Sequence, residues 1–343
     1  MANVKITELT AYANPVANDV LPIVDVGADA TKKVTITNIL NNASNGTASR
    51  PAFSFNNDED TGMFLGGTGI LRFSTGGTVG LQITADQKVG IGTGTPSKKL
   101  VVTEDVAFNS VIVGRGTGSV STNLVCGAQA LENNTTGHST LAVGFQALQA
   151  NTEGTSNTAV GREALESNTT ASFNTAVGNK ALQSNTIGVN NSALGNAALQ
   201  QATEGDGNTA LGYQTLKDTT VGQRNLAVGS QALQSNVAGS RNTAVGFQSM
   251  LYADSTATAT AKNNCAVGYT ALRGSNVAAN NTGNFNVCVG NNTMLVATSG
   301  GNNTVVGHNA GNDITTGDKN IFVGFGAGDE VTTGDNNTIL GDI

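Results

Sequence analysis

A phrase of the form Asn-Thr-Ala-Val-Gly returns along this chain at an almost fixed interval, and that interval constrains the fold more than any other feature. Its glycine stands at Gly127 and then every 17 residues as far as Gly246; Gly268, Gly290, Gly307, Gly324 and Gly341 follow. Ten of the twelve steps are 17 residues, and the two that flank Gly268 are 22. A period in the 20-residue range, sustained this long, specifies one short unit stacked on itself. The expected product is an all-β, elongated β-solenoid or β-roll of about 13 coils, with no central catalytic pocket implied.

Positions counted from the repeat glycine show which residues such a coil uses. Position −1 is Val, Leu or, once, Cys126, and position −2 is usually Ala, becoming Val305, Phe322 and Ile339 near the end. Position +4 is Leu or Met from Leu131 to Met294, then Gly311 and Gly328. Position −4 is Asn in twelve of thirteen repeats, Thr140 being the exception. We expect Val and Leu to point inward, Ala to pack where backbones approach, and glycine to supply left-handed corners. Stacked Asn side chains would hydrogen-bond from coil to coil. A helix over Arg162–Glu166 fits locally but not globally, because Asn-Thr and Gly interrupt every coil.

Composition removes several classes of function. Charged residues make up 12% of the chain, against about 25% in an average soluble protein. A net charge of −7 opposes nucleic-acid binding, which needs a basic stripe. No apolar run approaches the ~18 residues of a membrane span, so no membrane insertion is expected. Met1–Lys5 does not open a secretory signal. Cys126, Cys265 and Cys288 read as small apolar core residues, and His138 and His308 lack ligand spacing. No cofactor or metal is expected.

Ahead of the array lie three other stretches. Residues 1–48 form an N-terminal module, with a strand over Leu21–Val26, a turn at Gly27–Asp29 and a returning strand over Lys33–Thr37. Residues 49–103 form a small β-meander, too thin to bury a core without neighbouring chains. Residues 104–119 connect it to the array at 120–343. Each coil holds few large apolar residues, so three chains sharing buried surface about an axis is the favoured assembly. A monomeric three-sided β-helix is the alternative.

Asn242-Thr243-Ala244-Val245-Gly246-Phe247-Gln248 and its copies resemble repeats of phage tail-fibre proteins. With longer coils here, they are also similar to the β-roll heads of trimeric autotransporter adhesins. Pro51–Phe55, Asp60–Phe64 and Val89–Ser97 resemble a phage-fibre unit, and residues 1–40 look like N-terminal modules on virion proteins of phages infecting marine cyanobacteria. The resemblance implies a homotrimeric virion fibre assembled in the host cytoplasm. It would be anchored through residues 1–48 to tail or baseplate proteins and would project its array for adhesion to a host surface glycan or protein. An autotransporter would carry a secretion signal and a membrane barrel, which favours the virion protein. The chain stops inside a repeat at Thr338–Ile343, which suggests a removed C-terminal domain or a partner covering that end. A capsid-associated fibre or decoration protein and a polysaccharide-degrading tailspike are the alternatives.

A tailspike would need paired carboxylates, and the acids here are scattered: Glu153, Glu163, Glu166, Glu204 and Asp206, then Asp313, Asp318, Asp329, Glu330 and Asp335. Asp318 and Asp335 share one coil position and read as a solvated turn column, so no enzymatic activity is expected. The two five-residue expansions are the more informative irregularity, since insertions in a solenoid map to loops on one face, often the binding face. Tyr252, Asp254, Arg273, Asn276, Asn280 and Asn281 are therefore the candidate surface-binding residues. Phe145, Tyr213, Phe247, Tyr269 and Phe325, just after their glycines, read mainly as packing, with sugar stacking as the alternative. A threonine column at Thr158, Thr175, Thr209 and Thr243 hints at ice binding, but Leu141, Ser192 and Leu226 break it.

Overall fold

Three residues of each repeat form a strand, as in Thr158–Val160, and each strand pairs in parallel with its counterpart 17 or 22 residues away. The computed structural model describes residues 22–25 and 30–33 by their backbone, and residues 45–55, 57–109, 111–252, 260–277 and 280–341. It divides into two units, Met1–Glu104 and Asp105–Ile343. The second unit is a β-solenoid with a repeat of about 17 residues, its strands running in strict register from Leu124–Gly127 to Thr338–Leu340. Twelve steps of ~4.8 Å make this sheet on the order of 58 Å long. Val106–Phe108 and Val111–Gly114, read from sequence as connector, add two antiparallel strands at its first edge.

Alternation along a strand puts residues −3 and −1 on one face and −2 on the other. Position −2 lies inside: Ala142, Ala159, Ala176 and their successors as far as Phe322 are buried, and Ile339 in the last coil is partly so. Position +4 meets it from across the coil, with Leu131 through Leu233, Met250 and Met294 at 0% exposure. Where +4 shrinks to Gly311 and Gly328, position −2 grows to compensate. A Cβ on Gly328 would stand 2.7 Å from the Phe322 ring, and one on Gly311 would stand 3.1 Å from Ile314 Cδ1. The core thus keeps its volume while exchanging which column supplies it.

The expected inward Val is corrected. The −1 column faces outward: Val143, Val160, Val177, Val228, Val245 and Val306 are half-buried, and Leu194, Leu211, Val267, Val289, Val323 and Leu340 are exposed, Leu340 most at 71%. Cys126 and Cys265 lie on this outward face and are only partly buried, whereas Cys288 is in the core. One chain therefore encloses its interior alone, and a thin shared core is not what would bring three chains together.

Left-handed backbone is more frequent than glycine content suggests. Positions +2, +4 and −5 repeat φ values near +55°, as at Glu163 (57°), Leu165 (52°) and Ser156 (55°). The repeat glycine carries a wider positive φ (142° at Gly161), and a Cβ there would stand 2.3 Å from the carbonyl oxygen of Gly178. Both the dihedral and the backbone approach require glycine. The left-handed +4 site also explains its composition. Leu, Met and Gly occupy it but no β-branched residue does, because a branched Cβ is an outlier at positive φ.

Backbone groups are satisfied between coils, as buried polar groups require. In the turns, the amides of Thr152, Glu153 and Gly154 converge on Thr169 O at 2.9, 3.2 and 3.3 Å. Two Asn ladders complete the pairing. In the −4 column, Asn174 N donates to Asn157 Oδ1 (3.0 Å) and Asn157 Nδ2 donates to Ala171 O (2.8 Å). A second ladder at +7 links Asn134, Asn151, Asn168 and Asn185 through Nδ2–Oδ1 bonds of 2.8–3.1 Å. It stops where Ala202 takes the next place, which leaves Asn185 Oδ1 buried without a partner.

In the first unit, Phe53–Phe55, Asp58–Gly67, Ile70–Thr75, Thr78–Ile83 and Val89–Ile91 form an antiparallel meander, and Leu100–Val102 adds in parallel. Asp58–Gly62 opens the longest strand among the described residues. Register aligns Phe53, Met63, Phe73, Leu81 and Ile91 across five strands. Leu65, Leu71, Ile83, Val89 and Leu100 align in a second row on the same face. None of these ten is fully buried. Pro22–Asp25 pairs antiparallel with Ala30–Lys33. The return therefore begins three residues earlier than expected; Gly27–Asp29 and residues 34–37 lie outside the described residues.

Candidate functional site

The two 22-residue coils interrupt the turn side of the solenoid and leave its core strands undisturbed. Thr243–Val245, Cys265–Val267 and Val287–Val289 pair in unbroken register. Turn pairing continues to Tyr252, whose amide donates to Arg273 O (3.0 Å), as Ala150 donates to Glu166 in a regular coil. Beyond Arg273 the chain departs from the coil path, and the Asn281 side chain replaces the missing backbone partners. Its Nδ2 donates to Tyr252 O and to Ser275 O (2.9 Å), and its Oδ1 accepts from Ser275 N (3.0 Å). Asn281 is 5% exposed. Nominated as a surface residue, it is a buried staple that sets the loop.

This detour leaves a widely open cleft of about 620 Å³, lined among the described residues by Tyr252, Arg273, Ser275, Asn276, Thr298 and Thr315. Arg273 Nε is closed off from solvent without a hydrogen-bond partner, an arrangement that costs about 1–3 kcal/mol. A smaller space of about 20 Å³ lined by Met250, Leu272 and Asn286 has room for one water.

Of the six candidates, the structure brings Tyr252, Arg273 and Asn276 together. Asn280 is exposed and bonds locally, its amide donating to Val277 O (3.0 Å), and Asp254 lies outside the described residues. Thr298 and Thr315 were missed because they come from later coils. Their signal was the recurrent Thr at position +8, whose hydroxyls step along the array: Thr298 Oγ1 donates to Thr315 O and Thr315 Oγ1 to Thr332 O, both at 3.0 Å.

The aromatic column is exposed and partly stacked. Phe247 lies on Tyr269 with centroids 5.5 Å apart, and His308 lies on Phe325 at 5.3 Å. The acidic residues are engaged locally. Asp318 Oδ1 accepts from Gly301 N (2.6 Å) and Asp335 Oδ1 from Asp318 N (2.7 Å), so this column caps amides of the preceding coil. Glu163 and Glu166 both accept from Gln183 Nε2 at 2.8 Å, and Glu163 pairs with Arg162 and Lys180. Among the described residues, no group of three His, Cys, Asp or Glu side chains could hold a metal. Nor is any helix among them long and apolar enough to cross a membrane. Comparison with family models, curated proteins and solved structures gives no match.

Proposed function

We propose that this chain is a non-enzymatic structural fibre of a phage virion that assembles as a homotrimer. Residues 1–48 anchor it to other virion proteins, and the repeat array projects for attachment to a host surface. The observation that carries the trimer is the outward −1 column. From Cys126 to Leu340 it is aliphatic at every position but the first, in register on one sheet face for ~58 Å. Monomeric soluble proteins rarely expose a continuous apolar surface of that extent. The apolar rows of the meander add a second uncovered sheet face. Closed rotational symmetry would cover the same patch on every copy. The virion assignment rests on the resemblance of the repeats and of the meander segments to phage-fibre sequences.

Light scattering on the purified chain tests the assembly. The expected mass is three times the 34.6 kDa of one chain. Val177→Lys with Val228→Lys, which place two charges in the outward column and leave the core untouched, should yield monomers that keep the wild-type circular dichroism. A wild-type monomer, or a trimer indifferent to both charges, would refute the assignment of this face.

A further inference from the structure

We infer that the exposed aromatic column after the repeat glycines holds a slot for one sugar ring, a β-linked pyranose with all its ring substituents equatorial, within a surface polysaccharide. This deepens the display reading by naming the ligand class, and it rests on that reading for the source of the polysaccharide. The slot is a missing rung. Position +1 runs Tyr213, Ser230, Phe247 and Tyr269 in successive coils. Backbone bonds hold these rungs in register: Gln231 N donates to Tyr213 O (2.8 Å), Gln248 N to Ser230 O (3.0 Å) and Thr270 N to Phe247 O (2.9 Å). Where two rings are adjacent they stack, Phe247 on Tyr269 at 5.5 Å and 11°. Tyr269 covers one face of Phe247, and the other is on the side of Ser230, beyond which stands Tyr213. Tyr213 is 51% exposed and Phe247 42%, so both rings have surface to offer.

The spacing and the floor of the slot select a sugar. Two coil steps of ~4.8 Å separate Tyr213 from Phe247 by about 9.6 Å. A ring midway would lie ~4.8 Å from each, within the roughly 4.5–7 Å range of stacked rings. A flat aromatic side chain makes carbon contact at ~3.5–4.0 Å and would leave a gap on both sides. A puckered pyranose is thicker, and in the all-equatorial β form both of its faces are apolar C–H surfaces, as two aromatic walls require. Such a ring enters edge-on, so the hydroxyls of that edge meet Ser230. Ser230 is half-buried, and its hydroxyl makes no bond among the described residues, which leaves it free to donate and accept. The adjoining Gln231 gives its Oε1 to Gln248 Nε2 (2.9 Å), so its own amide protons remain for a ligand oxygen. Asn291, which also interrupts the rings, offers no equal slot, because its side chain turns back to accept from Tyr269 N (3.0 Å). Ser230 lies past the glycine bend that ends the Leu226–Val228 strand, off the sheet face proposed to meet other copies.

Isothermal titration calorimetry on the full chain, with cellotetraose and β-1,4-galactotetraose, tests this. The two differ in the C4 oxygen of each ring, which is axial in galactose and makes one face polar. Cellotetraose should bind about fivefold to tenfold more tightly, the difference expected for one stacked face. Ser230→Phe supplies the missing ring and should abolish binding; Phe145, Phe247 and Phe325 already occupy this position in other coils, so the fold accommodates it. Tyr213→Ala removes one wall and should weaken cellotetraose by roughly fivefold to tenfold, which keeps the test sound if Ser230→Phe misfolds. Phe145→Ala, at an earlier rung of the same column, should leave the affinity unchanged. No binding of either sugar, equal affinity for both, or binding unmoved by Tyr213→Ala or by a folded Ser230→Phe would overturn the inference. Binding is read on the purified chain without the particle, and light scattering on the same samples reads the assembly. Failure of the slot is therefore distinguishable from failure of the virion or trimer assignment.

Discussion

Replacing Leu182 with Ile and with Met separates side-chain volume from backbone handedness at the +4 column. Leu182 is fully buried at φ 52°, with its amide bonded to Ala198 O (3.0 Å). Both substitutions roughly conserve volume, and by packing alone each should cost below about 1.5 kcal/mol. Met250 and Met294 already occupy this site at φ 53° and 44°, so Met should stay under that bound. Ile brings a branched Cβ into the left-handed region, which adds about 1–3 kcal/mol of strain. The total expected for Leu182→Ile is therefore about 2–4 kcal/mol. Because a repeat array is stabilised by nearest neighbours, the loss should be sharpest locally. Amide exchange at Leu165 and Leu182, whose bonds join these coils, reports it alongside the urea midpoint. Equal destabilisation by Ile and Met would refute the claim that handedness selects this column.

The remaining predictions concern the ladder, the thiols and one carboxylate. Asn168→Ala removes bonds to Asn151 Oδ1 and Ala171 O and one from Asn185 Nδ2. It should cost about 2–4 kcal/mol, read by denaturant unfolding; a loss below about 0.5 kcal/mol would mean the ladder is ornamental. Burial, with a smaller contribution from neighbouring Cys265, pushes the Cys288 thiol up. Iodoacetamide should therefore modify it last in the native protein and readily in denaturant, as peptide mass spectrometry would show. Asp86 is held down to about 2, first by its bond with Lys88 (2.7 Å) and then by that from Thr84 (2.5 Å). A depressed acid contributes stability that is present above its unfolded pKa and is lost as pH falls toward 2. An NMR titration should place the Asp86 midpoint near 2, and Lys88→Ala should raise it toward 3.8; an unmoved midpoint would reject the Lys88 attribution.

The coil, its register and its Asn ladder were legible because each depends on a residue type recurring at one place. The face of the strand was misread, although the sequence held the correction. Thr158 and Val160 are two apart and share a face, so the polar −3 column should have marked −1 as outward. Position +4 was read correctly as core, but its left-handed backbone was not, since nothing local distinguishes Leu165 from a leucine in a strand. The growth of Val305, Phe322 and Ile339 against Gly311 and Gly328 was visible in sequence and needed the cross-coil geometry to acquire a reason. At the cleft, the expansions located Tyr252, Arg273 and Asn276. Asn281 was mistaken for a surface residue because polarity alone does not separate an exposed amide from one that substitutes for missing backbone partners.

The most direct test of the account is cryo-electron microscopy of the intact particle, locating this chain and counting its copies around their axis. The account predicts three copies meeting through their −1 columns, with residues 1–48 against the tail and the array pointing away from it. Single copies scattered over the capsid, or three chains whose −1 columns face solvent, would contradict it.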